Sequence, residues 1–315
     1  MAVLEHQAPE SAGDVEGPPR LRRKIRGRWT PYLLLAPTLT LIAVFIAYPI
    51  LTVVRTSLYQ YNPNKPWMDG WMGLGNYEKM LGDPLFWDSL QFTAKWVVVE
   101  VGLQMIFGLA LALVINETFV GRAFARALVF SPWAVSGVLT TTIWLLIYNP
   151  TVGFPHILAE QGHVAYGVSP LADGDSAFWA AVLAELWRGV PFFAILILAD
   201  LQSISGDLYE AAEVDGAGRV RRFTAITFPH IKAALVLATL LRSVWEFNNV
   251  DLLYTLTGGG PARATTTLPL YVAQTATVTK EFGYGSALTM AAFVILSLFS
   301  ITYLWLTRMG QKGKS

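Results

Sequence analysis

The chain contains no cysteine among its 315 residues. That excludes a disulfide scaffold, a cysteine nucleophile and any thiolate metal site. Charge is scarce as well. Lys, Arg, Asp and Glu make up 14% of the chain, against about 25% in an ordinary soluble domain. The net charge is +1, so bulk charge points to no polyanionic partner, and no nucleic acid is expected. Histidine is confined to His6, His156, His163 and His230; no paired-His motif lies in an apolar stretch and no Ser/His/Asp set can be assembled, so no catalytic or metal residue is assigned. No Gly-x4-Gly-Lys-Ser/Thr phosphate loop is present. What remains is apolar: 54% hydrophobic residues and a mean hydropathy of +0.45. Long stretches must then be nearly free of charge, which excludes a disordered protein, a coiled coil and a typical soluble enzyme.

A helix needs about 20 apolar residues to cross about 30 Å of hydrocarbon. Six stretches qualify: 32–54, 94–115, 127–148, 178–201, 233–250 and 287–306. The fourth and fifth carry charge inside. Helices are expected because lipid offers the backbone no hydrogen-bond partner, and the alternating ten-residue segments of a β-barrel are missing. The spacing therefore predicts an all-α integral membrane protein with six transmembrane helices in residues 29–315.

Most Lys and Arg fall in the N-terminal tail, the loops after the second and fourth stretches and the C-terminus. Arg55, Lys65, Lys79, Arg263 and Lys280 fall on the other side, and Lys95, Arg188 and Arg242 within spans. By the positive-inside rule both termini are cytoplasmic. Residues 1–28 read as a disordered tail rather than a signal peptide, because the apolar run after them is too long and no small-residue cleavage site follows. Tyr48-Pro49 near the outer end of the first stretch suits a kinked anchor helix.

The connection after the fourth stretch, about 203–232, is more than a loop. Asp207 followed by Glu210 resembles a capping box. Leu208, Ala211, Ala212 and Val214 follow at near-helical spacing, and Gly216 can end the helix in a left-handed conformation. A short basic turn follows over 219–223, and Pro229 opens the fifth span. The expected object is a short helix–turn–helix under the membrane that exposes a small Ala/Gly surface.

Glu210-Ala211-Ala212, then Gly216, Ile226 and Pro229 stand at the spacing of the Glu-Ala-Ala signature of importer-type ABC permeases, with Phe228 where Leu is usual. Gly73-Leu74-Gly75-Asn76-Tyr77, Leu201-Gln202-Ser203-Ile204 and Leu256-Thr257-Gly258-Gly259-Gly260-Pro261 followed by Thr265-Thr266-Thr267 resemble further motifs of the sugar-permease branch, maltose-type or glycerol-phosphate-type. The resemblance covers about residues 32–306. It implies the type I importer permease fold in a bacterial-type inner membrane. It also implies a second permease chain, two ATPase subunits that hold ATP and Mg, and an extracytoplasmic solute-binding protein, with no cofactor on this chain. The helix over 207–215 would be the coupling helix, with Glu210, Ala211, Ala212, Asp215, Gly216, Ile226 and Pro229 forming or supporting the ATPase contact.

Ionisable groups inside spans default to function. Arg242, Glu246 and Asn249 share one helix face of the fifth span, and Glu185, Gly189 and Phe192 one face of the fourth. In maltose-type permeases the solute-contacting positions fall near these residues, and their chemistry suits a sugar. Arg242 and Glu246 can equally pair with each other or with Glu185. Arg188 reads as a gate or ion-pair partner. Trp67, Trp71, Trp87, Trp96 and Trp305 read as an interfacial belt, and Trp187 and Trp245 as core or pathway residues. Gly258–Pro261 reads as a re-entrant loop, a probe into the binding protein or a plain outer turn. The expected function is the permease of an ATP-driven carbohydrate importer. A glycerol-phosphate-type solute, an ion-coupled secondary transporter and a membrane enzyme are the alternatives.

Overall fold

A computed structural model describes residues 30–312, with side chains described for 32–307. The expected disordered tail, 1–28, lies outside the described residues. The first helix, α1 (Tyr32–Ser57), is apolar and long enough to cross a membrane. Its part up to Ile50 forms a compact unit of its own, distinct from the unit that begins at Leu51. A two-stranded antiparallel hairpin follows, β1 (Tyr59–Gln60) and β2 (Gly70–Trp71), with Tyr59 opposite Trp71. Then come α2 (Gly75–Leu81), the long α3 (Pro84–Asn116), α4 (Arg122–Ala134), α5 (Gly137–Ile147), α6 (Phe154–Glu160) and α7 (Gly174–Leu201). The short α8 (Gly206–Val214) leads to α9 (Arg219–Phe247). The chain closes with α10 (Asp251–Leu256), α11 (Leu268–Thr277) and α12 (Phe282–Lys312).

Among the described residues five helices, α1, α3, α7, α9 and α12, are long and apolar enough to span a bilayer. The sequence predicts six unbroken spans, and the third differs. It is the pair α4 and α5, bent by 97° at a short break. The reason is local. Pro132 lies near the end of α4, Val135 leaves the helical conformation, and the Ser136 hydroxyl accepts the Leu139 N–H to cap a fresh helix.

Helix α7 is the central member. Its buried side chains fall on several faces, and the packing sets the direction of its neighbours. Near the start of α7, Phe178, Ala181 and Val182 pack with Trp96 of α3 and with Leu252, Leu253 and Leu256 of α10. Near its end, Phe193, Ile197 and Leu201 pack with Ala112 and Ile115 of α3 and with Ile231 and Leu235 of α9. So α3 and α7 run parallel and α9 runs against them. A third cluster, Met80, Phe86, Phe247, Leu268, Tyr284 and Leu288, ties the starts of α3 and α12 to the end of α9. The Tyr303 hydroxyl donates to the Val236 carbonyl 3.1 Å away, which makes α12 parallel to α3. These directions follow from packing alone and agree with those that basic-residue placement predicts.

Pro49 and Pro229 lie inside long helices, and the backbone handles these two in one way. A wide π turn, Ala43–Ala47, ends two residues before Pro49, and another, Phe223–Thr227, ends two residues before Pro229. A proline removes one N–H and crowds the carbonyl four residues back; a turn with i→i+5 bonds relieves that clash without breaking the helix. Pro229 therefore lies within a continuous helix that starts at Arg219, rather than opening the fifth span as the sequence predicts.

At the end of the bundle remote from α8, one carboxylate joins three segments. Asp83 caps α3 by accepting the Leu85 N–H at 3.0 Å. Its other oxygen accepts the hydroxyls of Tyr271 and Tyr284, each at 2.6 Å. Burial by itself would raise the Asp83 carboxyl. The hydrogen bonds from Tyr271, Tyr284 and Leu85, together with the Lys79 charge, outweigh burial and hold it below the ordinary carboxylate range. Burial and Asp83 together push the Tyr271 phenol up to about 12.

A carboxyl lowered by folding stabilises the fold above its unfolded pKa, and that contribution is lost as pH falls through the folded value. Asp83→Asn is expected to cost about 1–2 kcal/mol near neutral pH. Thermal unfolding in detergent is the measurement, and the gap between wild type and variant should close once pH drops below the ordinary carboxylate range. The α3–α7 crossing supplies a steric counterpart. A Cβ at Gly108 would collide with the Cβ of Phe193 and come within 3.2 Å of the Val190 carbonyl. Gly108→Ala should therefore lower stability by about 1–3 kcal/mol in the same unfolding assay, at every pH.

Candidate coupling surface and polar core

The segment between α7 and α9 is a helix–turn–helix. Helix α8 is capped by Ser205, whose hydroxyl accepts the Asp207 N–H at 3.3 Å. The sequence places the cap at Asp207; that residue instead lies in the first turn, where its charge suits the positive end of the helix. At the other end Gly216 takes φ +75°. Its N–H donates to the Glu213 carbonyl and the Ala217 N–H to the Ala212 carbonyl, a Schellman closure that requires the left-handed residue. The arm is held to α9 by the Tyr209 hydroxyl against Thr227 Oγ1 at 2.8 Å and by an Arg222–Glu213 ion pair at 3.1 Å. Ser203 Oγ lies 2.9 Å from His230 Nε2.

Glu210, Ala211, Asp215 and Gly216 are exposed, as is Pro229, while Ala212 and Ile226 are half-buried. The apolar side chains here are the telling ones. Leu208 is 52% exposed, Val214 88% and Val220 78%. Single exposed apolar residues are common on proteins, but here three occur on one short polar arm. The arm lies beyond the ends of α3 and α7 that pack on the start of α9, so it emerges from one end of the bundle.

Within the bundle, α3, α7 and α9 surround a buried polar core. Arg242 Nη2 lies 2.6 Å from Glu185 Oε1 and 2.6 Å from Glu246 Oε1. Its Nε donates to Gln104 Oε1 at 2.6 Å. Gln104 Nε2 donates in turn to Glu100 Oε2 and Glu246 Oε1, both at 3.0 Å. Arg188 donates to Glu185 through Nη2 at 2.8 Å and Nε at 3.3 Å. Trp96 Nε1 and Asn249 Nδ2 each donate to Glu246 Oε2 at 3.3 Å. Glu100, Gln104 and Glu185 are fully buried; Glu246 and Arg242 are nearly so. The other oxygen of Glu100, Oε1, has no hydrogen-bond partner among the described residues.

All six residues that the sequence singles out for solute contact come together here. Glu185, Arg242 and Glu246 form the centre, and Asn249 lies at the edge. Phe192 stands with its ring 6.0 Å from the Arg242 guanidinium carbon. Gly189 is present because a Cβ would collide with the Gln104 amide and lie 2.7 Å from Arg242 Nη2. The core is closed: Glu185 and Glu246 are paired with arginine and buried, and Glu100 is buried on the Gln104 amide. Arg188, with its side chain 26% exposed, reaches furthest outward.

Sequence reasoning missed Glu100 and Gln104. Their four-residue spacing inside an otherwise apolar stretch is the signal that could have found them. It also placed Trp96 in an interfacial belt, whereas Trp96 is fully buried and serves Glu246. Trp67, Trp71, Trp87 and Trp305 are exposed, as are Trp187 and Trp245 in α7 and α9. The Gly258–Pro261 segment is a turn tied back by threonine hydroxyls. The Thr265 hydroxyl donates to the Gly260 carbonyl at 2.7 Å and Thr266 to the Gly259 carbonyl at 3.0 Å, which makes it a tied strap.

Comparison with known proteins adds independent support. Residues 25–312 match the family described as binding-protein-dependent transport system inner membrane component. The chain is 40% identical over 280 residues to the trehalose/maltose transport system permease protein MalF of Thermococcus litoralis, covering 87% of this chain and 92% of that protein. It is 33% identical to the sulfoquinovosyl glycerol transport system permease protein SmoG of Agrobacterium fabrum, covering 92% and 97%. It is 32% identical to the trehalose transport system permease protein SugA of Mycobacterium tuberculosis, covering 93% and 94%. Among solved structures, a chain of a bacterial alginate ABC transporter, crystallised with its alginate pentasaccharide-bound periplasmic protein, superposes with a TM-score of 0.79. That likeness covers 92% of this chain and 98% of that one at 20% identity, and it shows the fold. By sequence over nearly its full length, and by the fold just described, this chain belongs to the family of binding-protein-dependent transport system inner membrane components.

Proposed function

We propose that the chain is a permease subunit of an ATP-driven importer for a carbohydrate, and that α8 with Gly216 is its coupling element. The observation that carries this reading is the exposed arm. A rigid, doubly capped helix presents Glu210, Ala211, Asp215 and the apolar Leu208 and Val214 to the outside at one end of the bundle, and the start of α9 adds Val220. Small side chains let a partner's backbone approach closely, and the exposed apolar ones supply area to bury. The partner in this reading is an ATPase subunit that holds ATP and Mg; two such subunits, a second permease chain and an extracytoplasmic binding protein complete the complex. The arm then lies on the cytoplasmic side with both termini. The sugar assignment rests on the relatives, whose names specify trehalose, maltose and a sulfonated glycoside.

The polar core fits this cycle as a lock. Buried charges hold together only when paired, so α3, α7 and the outer half of α9 move as one body when the ATPase closes. Force applied at α8 passes through Tyr209–Thr227 into α9 and is carried by that body rather than lost in it. This is coupling by rigid-body movement. On this reading Glu185, Gly189, Phe192, Arg242 and Glu246 meet solute only through the face they stiffen, and Asn249, at the edge of the core, makes the direct contact.

The test of coupling is ATP hydrolysis by the assembled complex, with and without solute-loaded binding protein. Loaded binding protein should stimulate the wild type. Gly216→Pro, which cannot adopt φ +75°, should lose either the ATPase subunit or the stimulation. A chain that moves solute in vesicles with no ATPase bound would overturn the reading. The core makes a second expectation. Arg242→Met leaves Glu246 without a cation and Glu185 with Arg188 alone, and should cost about 3–5 kcal/mol of stability. Asn249→Ala should leave the melting temperature within a degree or two while lowering solute-stimulated hydrolysis. The reverse pattern would make Arg242 the ligand and Asn249 the structural residue.

A further inference from the structure

The end of the bundle remote from α8 holds a cavity of about 630 Å³ that the reading above does not use. One wall is the start of α3, where Asp88, Gln91, Phe92 and Lys95 share a face at i, i+3, i+4 and i+7 spacing. The other wall is the strap after α10, which brings Ala262 and Arg263 across the opening. The side chains of Asp88, Gln91, Lys95 and Arg263 make no hydrogen bond or ion pair among the described residues, although a carboxylate, an amide and two cations stand around one space. All four side chains are exposed, so their polar ends are open to whatever enters the cavity.

The strap is built to hold its place. Ala262 and Arg263 adopt φ +47° and +67°, a left-handed conformation that non-glycine residues keep only when their surroundings enforce it. Enforcement comes from the buried Thr265 and Thr266 hydroxyls on the Gly260 and Gly259 carbonyls. Packing adds to it, since a Cβ at Gly174 would lie 2.8 Å from that of Ala264. The strap thus fixes where the Arg263 side chain leaves the backbone.

The cavity also stands on the polar core. Lys95 Nζ lies 4.1 Å from the centre of the Phe178 ring. Phe178 meets Phe92 edge-on with centroids 5.8 Å apart, and Trp96 at 6.3 Å. The Trp96 indole donates to Glu246. One aromatic layer therefore separates the cavity from the buried charges.

We propose that this cavity is an outer subsite for one sugar ring, taken up before the solute reaches the bundle. The chemistry matches a pyranoside. Asp88 accepts from hydroxyls, Gln91 does both, Lys95 and Arg263 donate, and Phe92 offers an apolar edge to the ring's C–H face. This inference rests on the carbohydrate-importer reading and deepens it by naming where the sugar is first held.

The experiment uses the complete transporter in proteoliposomes with trehalose and maltose as probes. Three quantities are read: affinity for the loaded binding protein, stimulated ATP hydrolysis, and sugar taken up per ATP. Asp88→Asn, an isosteric change at an exposed position, and Arg263→Ala should each leave binding-protein affinity and hydrolysis within about two-fold of wild type. Sugar per ATP should fall about ten-fold, and Arg263→Lys should recover part of it. A matching fall in binding-protein affinity would make the cavity a protein-docking surface and overturn the proposal, as would unchanged uptake. Failure of the underlying reading looks different: the wild type itself would then hydrolyse ATP without responding to loaded binding protein.

Discussion

The structure is organised around the cost of burying charge. Glu100, Glu185, Glu246 and Arg242 lie where water does not reach, and a single unpaired charge there costs several kcal/mol. Because Arg242 meets Glu185 and Gln104 simultaneously, α3, α7 and α9 are held in one rotation and register. Other features follow from it. Gly189 is glycine because the Gln104 amide and Arg242 occupy the space a side chain would need, and Trp96 is buried because its indole completes the shell of Glu246. Apolar surfaces between membrane helices specify rotation weakly, since lipid tails are as apolar as leucine. Directional bonds specify it strongly.

Away from that core the two ends of the bundle are built differently. At the first, α8 is a short helix made rigid by a cap at each terminus, which allows it to stand clear of the bundle and still hold its shape. At the second, Asp83 joins α3, α11 and α12, and a strap tied by threonine hydroxyls crosses the start of α3. At Pro49 and Pro229 the helices α1 and α9 are kept continuous by π turns, so a displacement applied at the start of α9 has no hinge at Pro229 to absorb it. In the α4–α5 pair the backbone does break, at Val135, where a serine restarts the helix.

Much of this was legible in the sequence. The apolar stretches, their alternation in direction, the Glu-Ala-Ala segment and the left-handed Gly216 are local or periodic properties, and the chain displays them without folding. The polar face of the fifth span was legible for the same reason, since Arg242, Glu246 and Asn249 sit at helical spacing. What was missed lay on a different helix. Gln104 is about 140 residues from Arg242 and Glu246 in sequence, and Glu100 joins the core only through Gln104, so no periodicity within one segment shows which side chain completes another's hydrogen bonds. The cap of α8 was misplaced by two residues because Ser205 and Asp207 are both good acceptors, and only the backbone geometry chooses between them.

By itself, then, the sequence determined that this is a helical membrane protein of the binding-protein-dependent permease family, with a structured arm after its fourth apolar stretch. Hydrophobic length and residue spacing decide those things, and both are written along the chain. The tertiary structure alone decided that the third stretch bends by 97°, and that the charges of three helices close on one another instead of facing an open channel. It also decided that Asp88, Gln91, Lys95 and Arg263 surround one cavity. These depend on which distant residues meet, and a buried charge or hydrogen bond is satisfied in three dimensions, by whatever partner the packing brings within about 3 Å.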